Sequence, residues 1–238
     1  MDHVLKLKKL GYDKTNPIND LTDIKNIKFF VVTYSKTGTM SLSHMLAKSE
    51  NYKTFRNVVH CHSECCWFKL FPNISRDFDI MKLIKQQNHK PIVFQLMRNP
   101  VDRIISEYKH LERKENMNCN INDFINQRCH VTPYYENKFG YKISELSYDK
   151  TNKYCLIDKG DYFIYFTALE HFSHLKRNLK KLFNIDISLL KQNQAPKSQK
   201  NPEITKEQAK LIFDRFNLLV NFYYTNIEIE EMKAKYNL

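Results

Sequence analysis

FFVVTYSKTGTMSL, residues 29–42, joins an apolar run to a polar loop with one lysine and one glycine, after which apolar residues return at a new spacing. Phe29, Phe30, Val31 and Val32 have the aromatic and β-branched content of a buried strand, whereas Met40, Leu42, Met45 and Leu46 recur at helical intervals. The stretch therefore reads as strand, loop and helix. Its loop sets Ser35, Lys36, Thr37, Gly38, Thr39 and Ser41 against the first turn of the helix. Backbone N–H groups there lack intrahelical partners and the helix dipole favours negative charge, so a phosphate is the expected guest.

The same pattern recurs along the chain. FRNVV at 55–59 is a second short strand candidate ending at the polar cluster HCHSECC, FDIMKLIKQQ at 78–87 has helical spacing, and PIVFQLM at 91–97 is the second clear buried strand. Pro100 opens a helix whose apolar positions are Val101, Ile104, Ile105, Tyr108 and Leu111. DYFIYFTAL at 161–169 is a further strand, HFSHLKRNLKKLFNI at 171–185 an amphipathic helix, and residues 205–224 a last helix after a basic polar loop. Alternating strands and helices predict an α/β three-layer sandwich around a central parallel sheet, with ligands at the carboxyl ends of the strands.

The chain has 238 residues with no Pro-, Gly- or Ser-rich linker, which predicts a single domain over 1–238. Residues 1–26 read as a basic arm or surface helix, and 110–160, polar and aromatic with weak periodicity, as loops and short helices inserted over the site. An apolar share of 42% excludes a disordered chain, and no apolar run is long enough to span a bilayer. The start has no signal-peptide pattern, and the six cysteines form no CxxC pair, so free thiols and a cytoplasmic setting are expected. A net charge of +12 favours an anionic partner without choosing among nucleic acid, a phosphorylated cofactor, an acidic glycan and a membrane surface.

The NTPase loop GxxxxGK(S/T) is absent, because Lys36 precedes Gly38 and no earlier glycine stands in the loop. The order Ser-Lys-Thr-Gly-Thr-Met-Ser instead resembles the 5′-phosphosulfate loop of sulfotransferases that use 3′-phosphoadenosine 5′-phosphosulfate (PAPS). VFQLMRNPVDRIISEY, residues 93–108, is similar to the same family's 3′-phosphate motif, with Arg98 leaving the strand and Ser106 eight residues on. A planar guanidinium fork suits phosphate oxygens, and a hydroxyl two helical turns away can join it. The plain alternative is an arginine paired with a carboxylate; Arg103 with Glu107 reads as such a surface pair.

Between these motifs, His60-Cys61-His62 resembles the His-x-His element of uronyl and heparan 2-O-sulfotransferases. Histidine titrates near neutrality and suits removal of a hydroxyl proton, so His62 is the expected base with His60 supporting it. Two histidines in a structural role, or a metal site with Cys65 and Cys66, are the competing readings; no second ligand pair accompanies them. In the tail, Asn193, Ser198 and VNFYY look like the polar loop and late helix of carbohydrate sulfotransferases, with Asn221 where an acid would stand. Lys197 and Lys200 are candidates to close over the adenosine 3′-phosphate, the plain alternative being a solvated basic loop.

The resemblance covers about 27–224, nearest to carbohydrate sulfotransferases and proteins described as capsular polysaccharide synthesis proteins. It implies the P-loop-NTPase-like sulfotransferase fold, PAPS as donor with PAP as product, no metal, and a hydroxyl-bearing acceptor such as a glycan or a small sugar-containing molecule. The cofactor would lie on Ser35, Lys36, Thr37, Gly38, Thr39, Met40, Ser41, Arg98, Ser106, Lys197 and Ser198, with His62, Lys36 and His60 in catalysis. Two rivals remain open. One is a non-catalytic basic protein binding nucleic acid or another anionic polymer, although no nucleic-acid motif is present. The other is a kinase of unusual loop, for which Asp102 is poorly placed to bind magnesium.

Overall fold

In a computed structural model, residues 25–34, 37–49, 58–61, 80–115, 120–128, 134–188 and 202–238 are described. Five strands form one sheet: β1 (Phe29–Val32), β2 (Val58–Cys61), β3 (Ile92–Met97), β4 (Cys155–Asp158) and β5 (Phe163–Ala168), in the order β2-β1-β3-β5-β4. The first four in that order run parallel, and β4 alone is antiparallel, at the edge. The helices are α1 (Thr39–Ser49), α2 (Ile80–Lys85), α3 (Pro100–Glu115), α4 (Ile121–Arg128), α5 (Tyr134–Phe139), α6 (Phe172–Phe183), α7 (Lys206–Arg215), α8 (Asn217–Tyr223) and α9 (Asn226–Ala234).

Both sheet faces are covered, which is why the strands read as continuous apolar runs rather than alternating ones. Phe29 and Val31 point to one core with Leu42, Met45 and Leu46 of α1 and Leu175 and Leu179 of α6. Phe30 and Val32 point to the other, filled by α2, α3, α4, α5, α7 and α8. The expected α/β three-layer arrangement is thus present, with one departure in the antiparallel β4. CLID was not foreseen as a strand: it is four residues long, its apolar residues Cys155, Leu156 and Ile157 end at once in Asp158, and it lies at the sheet edge.

Several boundaries differ from the sequence expectation. His60 and Cys61, expected to follow the second strand, instead end it at Val58–Cys61, and 55–57 lie outside the described residues. Of the helix expected at 78–87, Ile80–Lys85 is helical and stops before Gln86, with 78–79 outside the described residues, and the helix expected at 171–185 is confined to Phe172–Phe183. At the latter's end Asn184 takes a left-handed φ of 56°, its amide donating to Leu179 and Lys180, and stops the helix. The helix expected over 205–224 is broken at Phe216, whose fully buried ring anchors the joint between α7 and α8. A further helix, α9, follows, opened by a reciprocal cap between Thr225 and Glu228. Among the described residues no helix is long and apolar enough to cross a membrane.

Candidate active site

The carboxyl ends of β2, β1 and β3 lie side by side, about 4.8 Å apart. β1 and β2 stay paired to their last residues, Val32 opposite Cys61, but the β1–β3 ladder stops at Val31 opposite Phe94. Beyond that point side chains replace the ladder. The Thr33 hydroxyl donates to the Leu96 carbonyl at 2.8 Å and accepts from the Leu96 amide at 3.0 Å, while the Gln95 amide donates to the Val32 carbonyl at 2.6 Å. All three groups are buried, where an unpaired backbone polar group would be costly, so these contacts hold the strand ends apart without penalty.

In that opening the chain turns toward α1. The buried Thr37 hydroxyl donates to the Tyr34 carbonyl at 2.8 Å and closes the turn. Gly38 has φ of +86°, which calls for glycine, and a Cβ there would lie 2.5 Å from Leu169 Cδ1 just past β5, so that side chain would have to shift. Its carbonyl accepts from the Leu42 amide at 3.0 Å, the first helical bond. The amides of Thr39, Met40 and Ser41 thus form the first turn of α1 at the sheet's carboxyl edge, the geometry that attracts an anion. Thr39 is buried and Ser41 half-exposed.

At the end of β3, Arg98 is half-buried, and Asn99 is the cap of α3. Its side-chain oxygen accepts from the Val101 and Asp102 amides at 3.0 and 3.3 Å. The Asn99 amide donates to Glu170 at 3.0 Å, and the other oxygen of that carboxylate accepts from the Tyr224 hydroxyl at 2.7 Å. Ser106 lies two turns into α3, half-buried. Asp102 accepts from Lys235 at 2.8 and 2.9 Å and from the Tyr236 hydroxyl at 2.8 Å, so the end of the chain flanks the start of α3. Arg98 is close enough for its charge to act on Tyr236. The sequence reading assigned nothing to this last segment.

A cavity of about 20 Å³ opens among the β1 and β3 ends, lined by Thr33, Tyr34, Gln95, Tyr135, Tyr141 and Tyr223 among others. It has room for about one water. Tyr135 and Tyr141 belong to the segment expected to cover the site.

Beside β5 lies a polar network that sequence reasoning missed. His171 is buried, with Nδ1 3.0 Å from the Tyr148 hydroxyl and Nε2 3.0 Å from Glu228. Because a carboxylate only accepts, Nε2 carries the proton and Nδ1 accepts from the phenol. Glu228 also receives Lys153 at 2.8 Å and the Thr225 amide and hydroxyl, each at 2.8 Å. Burial raises the Glu228 carboxyl, but hydrogen bonds from Lys153, Thr225 and His171 outweigh it and bring it down to about 2. Burial holds His171 below its ordinary value against the opposing pull of Glu228. Both groups are depressed in the folded state, so their stabilisation is complete above the unfolded values and fades as acid protonates them. The melting temperature is expected to fall below about pH 6.5 through His171 and again below about pH 4.5 through Glu228. Thermal melts from pH 7.5 to 3.5 check this, and Glu228→Gln should flatten the lower step. A wild-type melting temperature that stays level across that range would show that the network does not contribute as described.

Of the expected site residues, Thr37, Gly38, Thr39, Met40, Ser41, Arg98, Ser106 and His60 lie among the described residues, Met40 and His60 as backbone positions. Ser35, Lys36, His62, Lys197 and Ser198 lie outside them, as do Asn193, Cys65 and Cys66. Among the described residues no cluster of three potential metal ligands occurs, and Cys155 is a buried free thiol. Arg103 and Glu107 do pair, at 3.2 Å, but not on the surface: their side chains are 5% and 17% exposed. Helical spacing announces such a pair without telling which face of the helix is covered. The signal for Asn99 as a cap was its place before Pro100; Glu170 and His171 carried no comparable mark.

No protein-family model and no curated relative matches the sequence. Among solved structures, the crystal structure of a sulfotransferase from Alicyclobacillus acidocaldarius is similar at a TM-score of 0.43 and 14% identity, over 85% of this chain and 98% of that one. At that level the likeness carries no weight for the reaction.

Proposed function

We propose that this protein transfers a sulfuryl group from PAPS to a hydroxyl of a carbohydrate acceptor. One observation carries the reading: three motifs far apart in sequence fall at the carboxyl ends of three adjacent parallel strands. His60 and Cys61 end β2, the lysine–glycine loop follows β1, and Arg98 follows β3. The strand order reverses at β1, with β2 on one side and β3 on the other, and open α/β sheets bind their ligands at such points. The bare turn at Gly38 and the first-turn amides of α1 fit the 5′-phosphate side of the nucleotide, and the Arg98 guanidinium fits its 3′-phosphate.

On this reading the acceptor oxygen attacks sulfur while the bond from sulfur to the bridging phosphate oxygen breaks, releasing PAP. His62 takes the hydroxyl proton, supported by His60. Lys36 and the amides of α1 balance charge gathering on the departing phosphate, and Arg98 and Ser106 hold the other end of the nucleotide. Positioning and preorganised charge supply the acceleration, as in phosphoryl transfer.

Calorimetric titration with PAP, ADP and AMP tests the donor. Binding that requires the 3′-phosphate is expected, and Arg98→Ala should weaken it at least tenfold, a charge-assisted pair contributing about 1.5–3 kcal/mol. Equal binding of all three nucleotides, or unchanged affinity in the variant, would remove the proposed site and favour a non-catalytic binder of anionic polymers.

A further inference from the structure

A second concavity, of about 250 Å³, lies beside the edge strand farthest from β2, between the entry to β4 and α6. Asn152, Tyr154, Arg177, Asn178, Lys181 and Leu182 line it. We propose that it binds one acidic sugar residue, carboxylated or sulfated, of a saccharide chain.

The floor is built. Asn178 is 3% exposed, and its amide donates to the Asn152 carbonyl at 2.7 Å and to the Tyr165 hydroxyl at 3.2 Å, tying the turn before β4 to the middle of α6. Tyr154 stacks on the fully buried Tyr165 with centroids 5.6 Å apart and planes at 4°. Its ring is therefore held flat at the wall, a surface on which the apolar face of a sugar can rest.

The charge is unbalanced. Arg177 and Lys181 are exposed and stand four residues apart on α6, where like charges repel each other. Arg177 has no ion pair among the described residues. Asp149 is close enough for its charge to act on Lys181 but forms no ion pair with it, its carboxylate capping the turn by accepting from the Thr151 amide at 3.0 Å and from Asn152 at 2.8 and 2.7 Å. Two cations over a tyrosine wall with side-chain amides at the base suit an anionic, hydroxyl-rich ring. A volume just below the ordinary range for small-molecule pockets, about 300–1,000 Å³, limits the guest to a single ring.

The groove shares the carboxyl edge with the candidate active site. β4 is antiparallel, so Asn152 and Tyr154, just before it, stand at the edge where β5 ends, with Cys155 opposite Phe166. β4 lies three strand spacings from β1, roughly 14 Å. α1 and α6 cover the same sheet face. Where the transferase reading holds, the groove grips the acceptor chain some residues away from the reacting hydroxyl; the role in catalysis rests on that reading, whereas the binding does not.

Calorimetry on the full chain with four probes tests it: a hyaluronan tetrasaccharide, a heparin tetrasaccharide, maltotetraose and AMP. At least one acidic tetrasaccharide should bind ten times more tightly than both maltotetraose and AMP, the two acidic arms telling carboxylate from sulfate. Arg177→Gln with Lys181→Gln, and separately Tyr154→Ala, should each weaken that binding about tenfold and leave PAP affinity unchanged. Absence of acidic-saccharide binding, equal binding of AMP, or full affinity in the double variant would overturn the proposal. Saccharide binding that follows this pattern in a protein that fails to bind PAP would sustain the groove while removing the transferase reading.

Discussion

Alanine at Lys36 is expected to lower turnover about 10²-fold or more, the usual effect of removing one preorganised charge from the path of a transferring group. The expectation follows from the sheet edge. Lys36 lies between Tyr34, at the mouth of the strand opening, and Thr37, whose hydroxyl closes the turn onto the Tyr34 carbonyl. On the proposed reading the departing phosphate sits at the first turn of α1 and Lys36 supplies it with positive charge. Its charge is needed most as the sulfur–oxygen bond breaks, so kcat should fall more than affinity for PAP. Lys36→Arg retains the charge and should recover part of the rate. Release of PAP from PAPS in the presence of an acceptor is the readout, and normal turnover in Lys36→Ala would defeat the mechanism.

Glu107→Leu should destabilise the fold by about 3 kcal/mol, because it takes a counter-charge away from a covered cation. Arg103, 4% exposed, lies with its guanidinium carbon 5.0 Å from the Phe216 ring centroid and 5.7 Å from that of Tyr34. Glu107 meets it at 3.2 Å. Removing the carboxylate leaves the guanidinium without that counter-charge where water has little access. Adding Arg103→Met to the same chain should restore much of the loss, since a buried pair replaced by apolar side chains often costs little. Urea melts of the single and double variants give both values. A single variant with the wild-type midpoint would mean that the charge is solvated after all. The joint matters to the site because the same arginine lies against Tyr34, one end of the turn that precedes α1.

The strands that carry the candidate site were legible in the sequence because burial on both faces leaves continuous apolar runs. Phe29–Val32 and Ile92–Met97 are read directly, and the helices after them are marked by Gly38 and by Asn99-Pro100. β4 was hidden because it is short: Cys155, Leu156 and Ile157 are followed at once by Asp158, inside a polar and aromatic segment of weak periodicity. The break at Phe216 was hidden because the apolar period continues through it; tertiary packing of that ring sets the joint, and no proline or glycine announces it. His60 and Cys61 looked like the residues after a strand because the apolar run ends at Val59, yet pairing with Val31 and Val32 carries the strand two residues further. Least legible were Thr33 and Gln95, which act across strands 63 residues apart in sequence and carry no local signature.

The Leu96 amide has a consequence of its own. It is held by the Thr33 hydroxyl rather than by a neighbouring carbonyl, so its hydrogen exchange with solvent is governed by the rotation of one side chain, whereas the Phe94 amide, within the ladder, waits for the strands to part. In deuterium exchange the two halves of β3 should therefore separate in time, its carboxyl half reporting the state of the opening between β1 and β3. A guest seated in that opening would slow the Leu96 amide before it slowed any other in the sheet.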